Sequence, residues 1–144
     1  MSTVIPHSFL LVARCFFRVK ARRKATRCLA VLPLIKRIAD QNKPIWYADD
    51  ATGGGRLRHV RTGWDTPNRF GPSFGYFPNT AKTWLLVKEP ELAEAHELFA
   101  DTGVKITTEG RRLFGAPIGT DDFCKEFLQD QVSSWLRQLI CLGT

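Results

Sequence analysis

The sequence predicts an α+β fold with three to five strands and two long helices over one face. Lys82–Lys88, a run rich in apolar residues, is the clearest buried strand. Asp121–Leu142 repeats apolar residues at helical spacing and predicts a long amphipathic helix. A hydrophobic content of 44% and a charged content of 24% over 144 residues are typical of one globular domain, and they exclude a fibrous or wholly disordered chain.

The first predicted elements lie on either side of a turn. Apolar residues at helical spacing predict a short helix over Leu29–Ala39. Pro44–Ala48 combines β-branched and aromatic residues and predicts a strand. Asp49-Asp50 is a turn signal, and Ala51-Thr52 predicts a short returning strand. Gly53–Gly55 predicts a flexible connector, because it lacks the Lys-Ser/Thr of a phosphate-binding loop.

A second helix is predicted from about Arg56, because Leu57 and Trp64 lie on one face at helical spacing. Pro67 predicts the end of this helix or a kink in it, since proline lacks the backbone N–H that the helix needs. The segment Phe70–Asn79 is rich in Gly, Pro and aromatic residues and predicts an ordered loop.

The C-terminal half continues with a helix and two strands. Pro90 is placed to begin the helix and Gly103 to end it. Val104–Thr108 and Arg112–Pro117 predict two strands joined at Glu109-Gly110. This order of elements again predicts a mixed α+β architecture.

The basic residues are concentrated at the N-terminus. Residues 1–43 contain ten Lys/Arg and one acid, whereas residues 44–144 contain eleven Lys/Arg and thirteen acids, so the net charge of +7 comes from the first segment. A cationic cluster attracts nucleic acid by counterion release, whereas a solvated tail is the simpler interpretation. We therefore predict a basic, loosely ordered leader over 1–27, followed by a folded part over 28–144. The candidate nucleic-acid contacts in the leader are Arg22, Arg23 and Lys24.

Neither the cysteines nor the hydropathy indicates a membrane or an oxidising compartment. Cys15, Cys28, Cys124 and Cys141 form no CxxC pair, so free thiols are predicted. No apolar run reaches the roughly 18 residues that a membrane span requires. The charges follow the N-terminal apolar stretch, which does not fit a secretory signal, whereas an organelle presequence stays an alternative. An intracellular location, in the cytoplasm or nucleus, is the expectation.

Two adjacent carboxylates, Asp49 and Asp50, follow the predicted strand that ends in Trp46-Tyr47-Ala48. Their charges repel each other unless a hard divalent cation such as Mg²⁺ lies between them, because Mg²⁺ prefers oxygen ligands. An ordinary polar turn is the alternative interpretation. The neighbouring sequence favours the metal.

Tyr47-Ala48-Asp49-Asp50 after an apolar strand resembles motif C of reverse transcriptases, the RNA-directed DNA polymerases of retroelements. Further on, Asn79-Thr80-Ala81-Lys82-Thr83 is similar to their motif D. The segment from Arg111 to Gly119 resembles the primer grip, or motif E. The three motifs occur in the family's order, and the resemblance covers about residues 29–142. It implies part of a polymerase palm, with a small, mostly antiparallel sheet, helices on one face and a truncation upstream.

The resemblance also implies a role for each matching residue. Asp49 and Asp50 match the motif C ligands of the catalytic Mg²⁺ or Mn²⁺ ions, which the isolated fragment is expected to bind weakly. Lys82 matches the lysine near the incoming triphosphate, where a cation offsets charge on the leaving pyrophosphate. Tyr47 matches the aromatic residue beside the primer end, and Asn79 is expected to order the motif D loop.

The motif E segment adds nucleic-acid contacts. Gly115 matches the glycine of the primer grip, and Arg111 and Arg112 are candidates for contact with the nucleic-acid backbone. The implied partners are an RNA template, a DNA primer and a deoxynucleoside triphosphate. Since Arg111 and Arg112 are adjacent cations, a solvated pair is the equally weighted alternative.

The chain departs from the family where a third carboxylate is needed. In reverse transcriptases this motif A ligand comes from an earlier strand, but Asp40 is the only acid before Asp49. We therefore expect a reverse transcriptase fragment that is inactive alone. The alternatives are a non-catalytic nucleic-acid-binding protein that uses the basic N-terminal segment, and an interaction protein without chemistry.

Overall fold

This computed structural model contains helices together with mostly antiparallel strands, which confirms the α+β class. It describes the backbone of residues 9–17, 32–38, 43–47 and 50–142, and the side chains of 32–38 and 51–141. The chain divides into two units, Met1–Thr107 and Thr108–Thr144, which differs from the division expected after residue 27.

The first unit contains a five-stranded sheet with the strand order β2-β3-β1-β4-β5. Its strands are β1 (Phe9–Phe17), β2 (Lys43–Tyr47), β3 (Asp50–Gly55), β4 (Tyr76–Leu86) and β5 (Lys105–Thr107). Its helices are α1 (32–38), α2 (Leu57–Phe70) and α3 (Leu92–Leu98), with 3₁₀ turns at Gly71–Phe74 and Glu89–Glu91. Neighbouring strands are antiparallel except for the parallel pair β4–β5, so the expectation of a mostly antiparallel sheet is confirmed.

The expectation of a loosely ordered leader over 1–27 is wrong for Phe9–Phe17. This segment is β1, the middle strand of the sheet, and it pairs with β3 on one side and β4 on the other. Eight of its nine residues are uncharged, and Arg14 is the exception, so the segment can occupy an interior strand. The predicted contacts Arg22, Arg23 and Lys24 lie outside the described residues.

The predicted pair of strands is confirmed by the hairpin of β2 and β3, whose pairing runs from Lys43–Gly54 to Tyr47–Asp50. Asp50, which was expected in the turn, is instead the first residue of β3. The flexible connector predicted at Gly53–Gly55 is wrong. These glycines belong to β3 and pair with β1, because glycine can adopt extended backbone as well as turns.

The main core of the first unit lies between α2, α3 and strand β4. Its buried side chains are Leu57, Val60, Trp64, Leu85, Val87, Ala95, Phe99 and Val104. A second cluster joins Leu34 and Ile38 of α1 to Tyr76, the first residue of β4. Full burial of one such apolar side chain stabilises the fold by about 1.5–3 kcal/mol. Because α2 and α3 share one cluster with Leu85 and Val87, both helices cover the same face of β4.

Two local predictions around α2 need correction. The helix continues to Phe70, three residues beyond Pro67, whose ring is buried. The loop expected over Phe70–Asn79 is instead a 3₁₀ turn followed by the first residues of β4. Gly75, at φ +71°, adopts the left-handed conformation that separates the two.

The second unit consists of β6 (Gly110–Leu113), β7 (Ala116–Gly119) and α4 (Asp121–Leu142). The predicted bounds of α4 are confirmed. The strands β6 and β7 form a hairpin that turns at Phe114-Gly115, so the single strand expected over Arg112–Pro117 is wrong. Phe114 and Gly115 have φ values of +50° and +90°, and positive φ at both positions is typical of a type I′ turn.

Candidate functional site

Four residues from four neighbouring strands occupy one row of the five-stranded sheet. Tyr47 of β2 pairs with Asp50 of β3, Asp50 pairs with Arg14 of β1, and Arg14 pairs with Asn79 of β4. Since neighbouring strands lie about 4.8 Å apart, the backbones of Asp50 and Asn79 are separated by roughly 10 Å. The register therefore brings together three of the predicted site residues and places Arg14 between them.

The hairpin end of the row contains Asp50, the second residue of the carboxylate pair. Tyr47–Asp50 is the last pair of β2 and β3, and Ala48 and Asp49 are the two residues between them in the sequence. Asp49 lies outside the described residues, so its role as a metal ligand stays a prediction. The register places the backbone of Asp50 at the first position of β3.

Strand β4 contains an irregularity beside the row. Arg14 pairs with Asn79 but Val12 pairs with Trp84, so the four residues Thr80–Thr83 lie opposite the single residue 13 of β1. The Thr83 hydroxyl, which is fully buried, donates a hydrogen bond to the Asn79 carbonyl at 2.8 Å across this bulge. Bulges of this kind re-aim side chains and are frequent next to active sites.

Lys82 lies in this bulge and its side chain is exposed, while Thr83 beside it is buried. The bulge thus presents a cation to solvent three residues from Asn79, with Thr83 as its anchor. The hydrogen bond from Thr83 uses the backbone carbonyl of Asn79, so the expected role of the Asn79 side chain in ordering this segment stays a prediction. Sequence analysis did not identify Thr83 as the anchor, although a threonine four residues after Asn79 is a visible signal.

The remaining predicted contacts belong to the second unit. Arg111 and Arg112 lie on β6, and the Arg112 guanidinium carbon is 5.9 Å from the centroid of the Phe127 ring on α4. Gly115 and the exposed side chain of Phe114, at 48% accessibility, form the tip of the β6–β7 hairpin. This hairpin therefore presents an aromatic ring and a guanidinium group within a few residues.

The donor set for a metal ion is small. Within residues 32–38 and 51–141, where side chains are described, no three His, Cys, Asp or Glu side chains lie close enough together to hold a metal ion. The strand that precedes the hairpin and pairs with Asp50 is β1, whose sequence FLLVARCFF contains no acid. Strand β1 therefore supplies no carboxylate beside Asp50.

Arg14 is absent from the sequence-predicted site because it lies in the segment 1–27 that is predicted to be a leader. The signal that could have found it is a nine-residue apolar segment interrupted by one cation, which is unusual for a solvated tail. Separately, no helix among the described residues has the length and apolar character needed to cross a membrane.

Comparisons with known proteins identify no family. No family model matches the chain, and no curated protein is similar to it. Among solved structures, the chain is similar to MupZ from Pseudomonas fluorescens, with a TM-score of 0.51 and 6% sequence identity. The match covers 74% of this chain and 93% of that one. At this identity the match shows a related fold and nothing about activity.

Proposed function

We propose that this chain is the C-terminal part of a reverse transcriptase palm, from an RNA-directed DNA polymerase of a retroelement, that does not transfer nucleotides by itself. The observation that carries the proposal is the row Tyr47–Asp50–Arg14–Asn79, which aligns residues of two separate sequence motifs on one sheet. Lys82 in the adjacent bulge supports it, because an exposed cation there suits contact with a triphosphate.

Asp49 and Asp50 would hold Mg²⁺ or Mn²⁺, since adjacent carboxylates supply the oxygen donors these ions prefer. In a complete palm such an ion would supply activation of the primer hydroxyl and charge stabilisation of the leaving pyrophosphate. In this chain Asp49 and Asp50 would hold the ion, Lys82 would offset phosphate charge and Tyr47 would lie beside the primer end. The proposed partners remain an RNA template, a DNA primer and a deoxynucleoside triphosphate.

The same row supports the absence of independent activity. The resemblance places the third carboxylate on an earlier strand, and the strand that fills the position beside Asp50 carries Arg14 there. An arginine at the register position next to Asp50 repels a metal ion, so it disfavours metal binding there. With two ligands and a neighbouring arginine, the site is expected to hold one ion weakly.

Primer extension tests the proposed function directly. The purified chain, given an oligo(dT)-primed poly(rA) template and Mg²⁺ or Mn²⁺, is expected to show no extension. A chimera that supplies an upstream polymerase segment with a motif A aspartate in cis is expected to extend the primer, and Asp49→Asn in that chimera to abolish extension. A folded chimera without activity would contradict the proposal.

Metal binding provides an independent test with a matched control, since the chain contains a second adjacent pair, Asp121-Asp122, at the start of α4. In electron paramagnetic resonance titrations of Mn²⁺, Asp49→Asn/Asp50→Asn is expected to remove most of the weak binding. Asp121→Asn/Asp122→Asn is expected to leave it unchanged. Equal loss in both variants would assign the binding to surface charge.

A non-catalytic nucleic-acid-binding protein is the second candidate, and Arg14 favours it. The sheet position beside Asp50 carries a cation, which suits a phosphate better than a metal ion. The exposed ring of Phe114 near Arg112 adds a surface on which a base can stack. For this candidate, nucleic-acid affinity is expected to fall steeply with salt and to survive Asp49→Ala.

A further inference from the structure

We infer that α4 is a self-association helix, which pairs with α4 of a second copy of this chain. From its eighth residue onward the helix exposes an apolar stripe, with accessibilities from 47% to 68%. Its members are Leu128, Val132, Trp135, Leu136, Leu139 and Ile140. Large apolar side chains this exposed, and adjacent to one another on one helix, are unusual on a monomer surface.

The spacing of the stripe matches the packing of two helices against each other. Leu128, Val132, Trp135 and Leu139 follow intervals of four, three and four residues, which is the a/d repeat of a two-stranded coiled coil. Leu136 widens this seam on one side. The first turns of α4 are engaged within their own unit, because the Phe123 ring packs under Gly110 of β6.

The charges along the helix favour a second copy as the partner. The residues that flank the seam are Gln129, Gln131, Leu136 and Gln138, so two copies meet without repulsion between like charges. From residue 128 to residue 141 the charged residues are Asp130 and Arg137, which lie on the opposite side of the helix. Over its whole length α4 contains four acids and two cations, which disfavours an anionic membrane surface.

The available area predicts a weak dimer. Six large apolar side chains, each about half exposed or more, provide on the order of 600 Å² per copy. Two copies would then bury about 1,200 Å², the lower limit for specific stable interfaces. Interfaces at this lower limit are typical of transient association, so dimer and monomer are expected to exchange.

Sedimentation equilibrium of the full chain between about 1 and 100 µM tests the inference. The wild type is expected to shift from the monomer mass of 16.3 kDa towards twice that mass as concentration rises. Leu139→Glu is expected to raise the dimer dissociation constant by about a hundredfold, because it places a charge in the apolar seam. Arg137→Glu, two residues away on the opposite side of the helix, is the control and is expected to leave the dimer intact.

Leu139→Gln provides a second variant that keeps the helix propensity and introduces no charge. It is expected to weaken the dimer about tenfold, with unchanged helical circular dichroism. A wild type that stays monomeric at the highest concentration would overturn the inference. A dimer that neither position 139 variant weakens would overturn it as well, since the interface would then lie elsewhere on the chain.

Discussion

The guanidinium of Arg61 forms a two-point contact with the carboxylate of Asp101, with Nη1–Oδ1 and Nη2–Oδ2 distances of 2.6 and 2.9 Å. Arg61 lies on α2, and Asp101 lies in the turn that follows α3. The same guanidinium donates to Asp65 and to the Leu98 carbonyl, and its carbon lies 5.7 Å from the Phe99 ring centroid. One side chain thereby joins α2 to the end of α3 above the main core.

Arg61→Ala is expected to lower the thermal unfolding midpoint by about 3–6 °C, because it removes the bonds to Asp101 and Leu98 together with the packing on Phe99. Thermal melts followed by circular dichroism measure the change. Arg58→Ala, an exposed arginine on the same helix, is the control and is expected to shift the midpoint by no more than about 1 °C. Equal shifts would mean that the Arg61 contacts add nothing beyond surface charge.

Asp101 makes the stability depend on acid. The hydrogen bond from Arg61 lowers the pKa of Asp101 below its ordinary value of 3.8. The contribution of the pair is therefore complete above pH 3.8 and is lost as the pH falls through the lowered pKa. The free energy of unfolding is measured with urea between about pH 6 and pH 2.5. At pH 6 the wild type is expected to be more stable than Asp101→Asn, and this difference is expected to shrink as the pH falls. A constant difference would contradict this linkage.

Gly71 and Gly53 differ in the space that surrounds them, which allows a controlled comparison of two glycine-to-alanine variants. A Cβ on Gly71 would lie 2.6 Å from the Tyr76 carbonyl oxygen, whereas a Cβ on Gly53 would meet nothing within 4 Å. Gly71→Ala is expected to destabilise the chain by about 1–3 kcal/mol through this overlap. Gly53→Ala is expected to be neutral or to stabilise by a few tenths of a kcal/mol, roughly. Urea denaturation of both variants measures the contrast, and equal effects would contradict the packing at Tyr76.

Arg14→Asp tests whether position 14, which pairs with Asp50, is the position where a third metal ligand is needed. In the row it would place a third carboxylate opposite Asp50, so Mn²⁺ affinity is expected to rise by about tenfold or more. Arg56→Asp, just beyond the end of β3, makes the same charge change outside the row and serves as control. Equal gains in the two variants would show a general electrostatic effect rather than a site.

The position of β1 changes how the basic segment should be tested. Deletion of residues 1–17 is expected to abolish cooperative unfolding, since the middle strand of the sheet would be lost. Substitution of Arg22, Arg23 and Lys24 by Gln is expected to keep the melting midpoint and to reduce the salt dependence of nucleic-acid binding by up to three charges, roughly. If the folded triple variant binds nucleic acid as the wild type does, these three residues do not contact the nucleic acid.

Local patterns predicted the long helices well and the strand pairing poorly. The bounds of α4 and the buried face of α2 followed from spacing alone, because helix contacts are local. The pairing of β1 with β3 and β4 joins residues about 40 and 70 positions apart, and no local signal encodes it. The clustered cations that follow β1 therefore dominated the interpretation of its sequence.

The candidate site was predictable in its parts and not in its arrangement. Asp50, Asn79 and Lys82 were predicted from motifs. The place of Arg14 between Asp50 and Asn79 depends on the register of β1, and a shift of that register by one residue would move Arg14 out of the row. The hairpin turn shows the same limit. Glu109-Gly110 and Phe114-Gly115 both end in glycine, so the local sequence does not say which of them forms the turn. The ring of Phe123 lies against Gly110, and this contact between distant residues is not visible in the local sequence.

The central place of β1 also sets the order of events during synthesis. The first strand leaves the ribosome before either of its neighbours exists, and its second edge stays open until Leu86 has been made. During that interval an apolar segment with an unpaired edge is exposed to misassembly. Codon choice and translation speed between β1 and β4 are therefore expected to affect the yield of folded protein more than changes within α4.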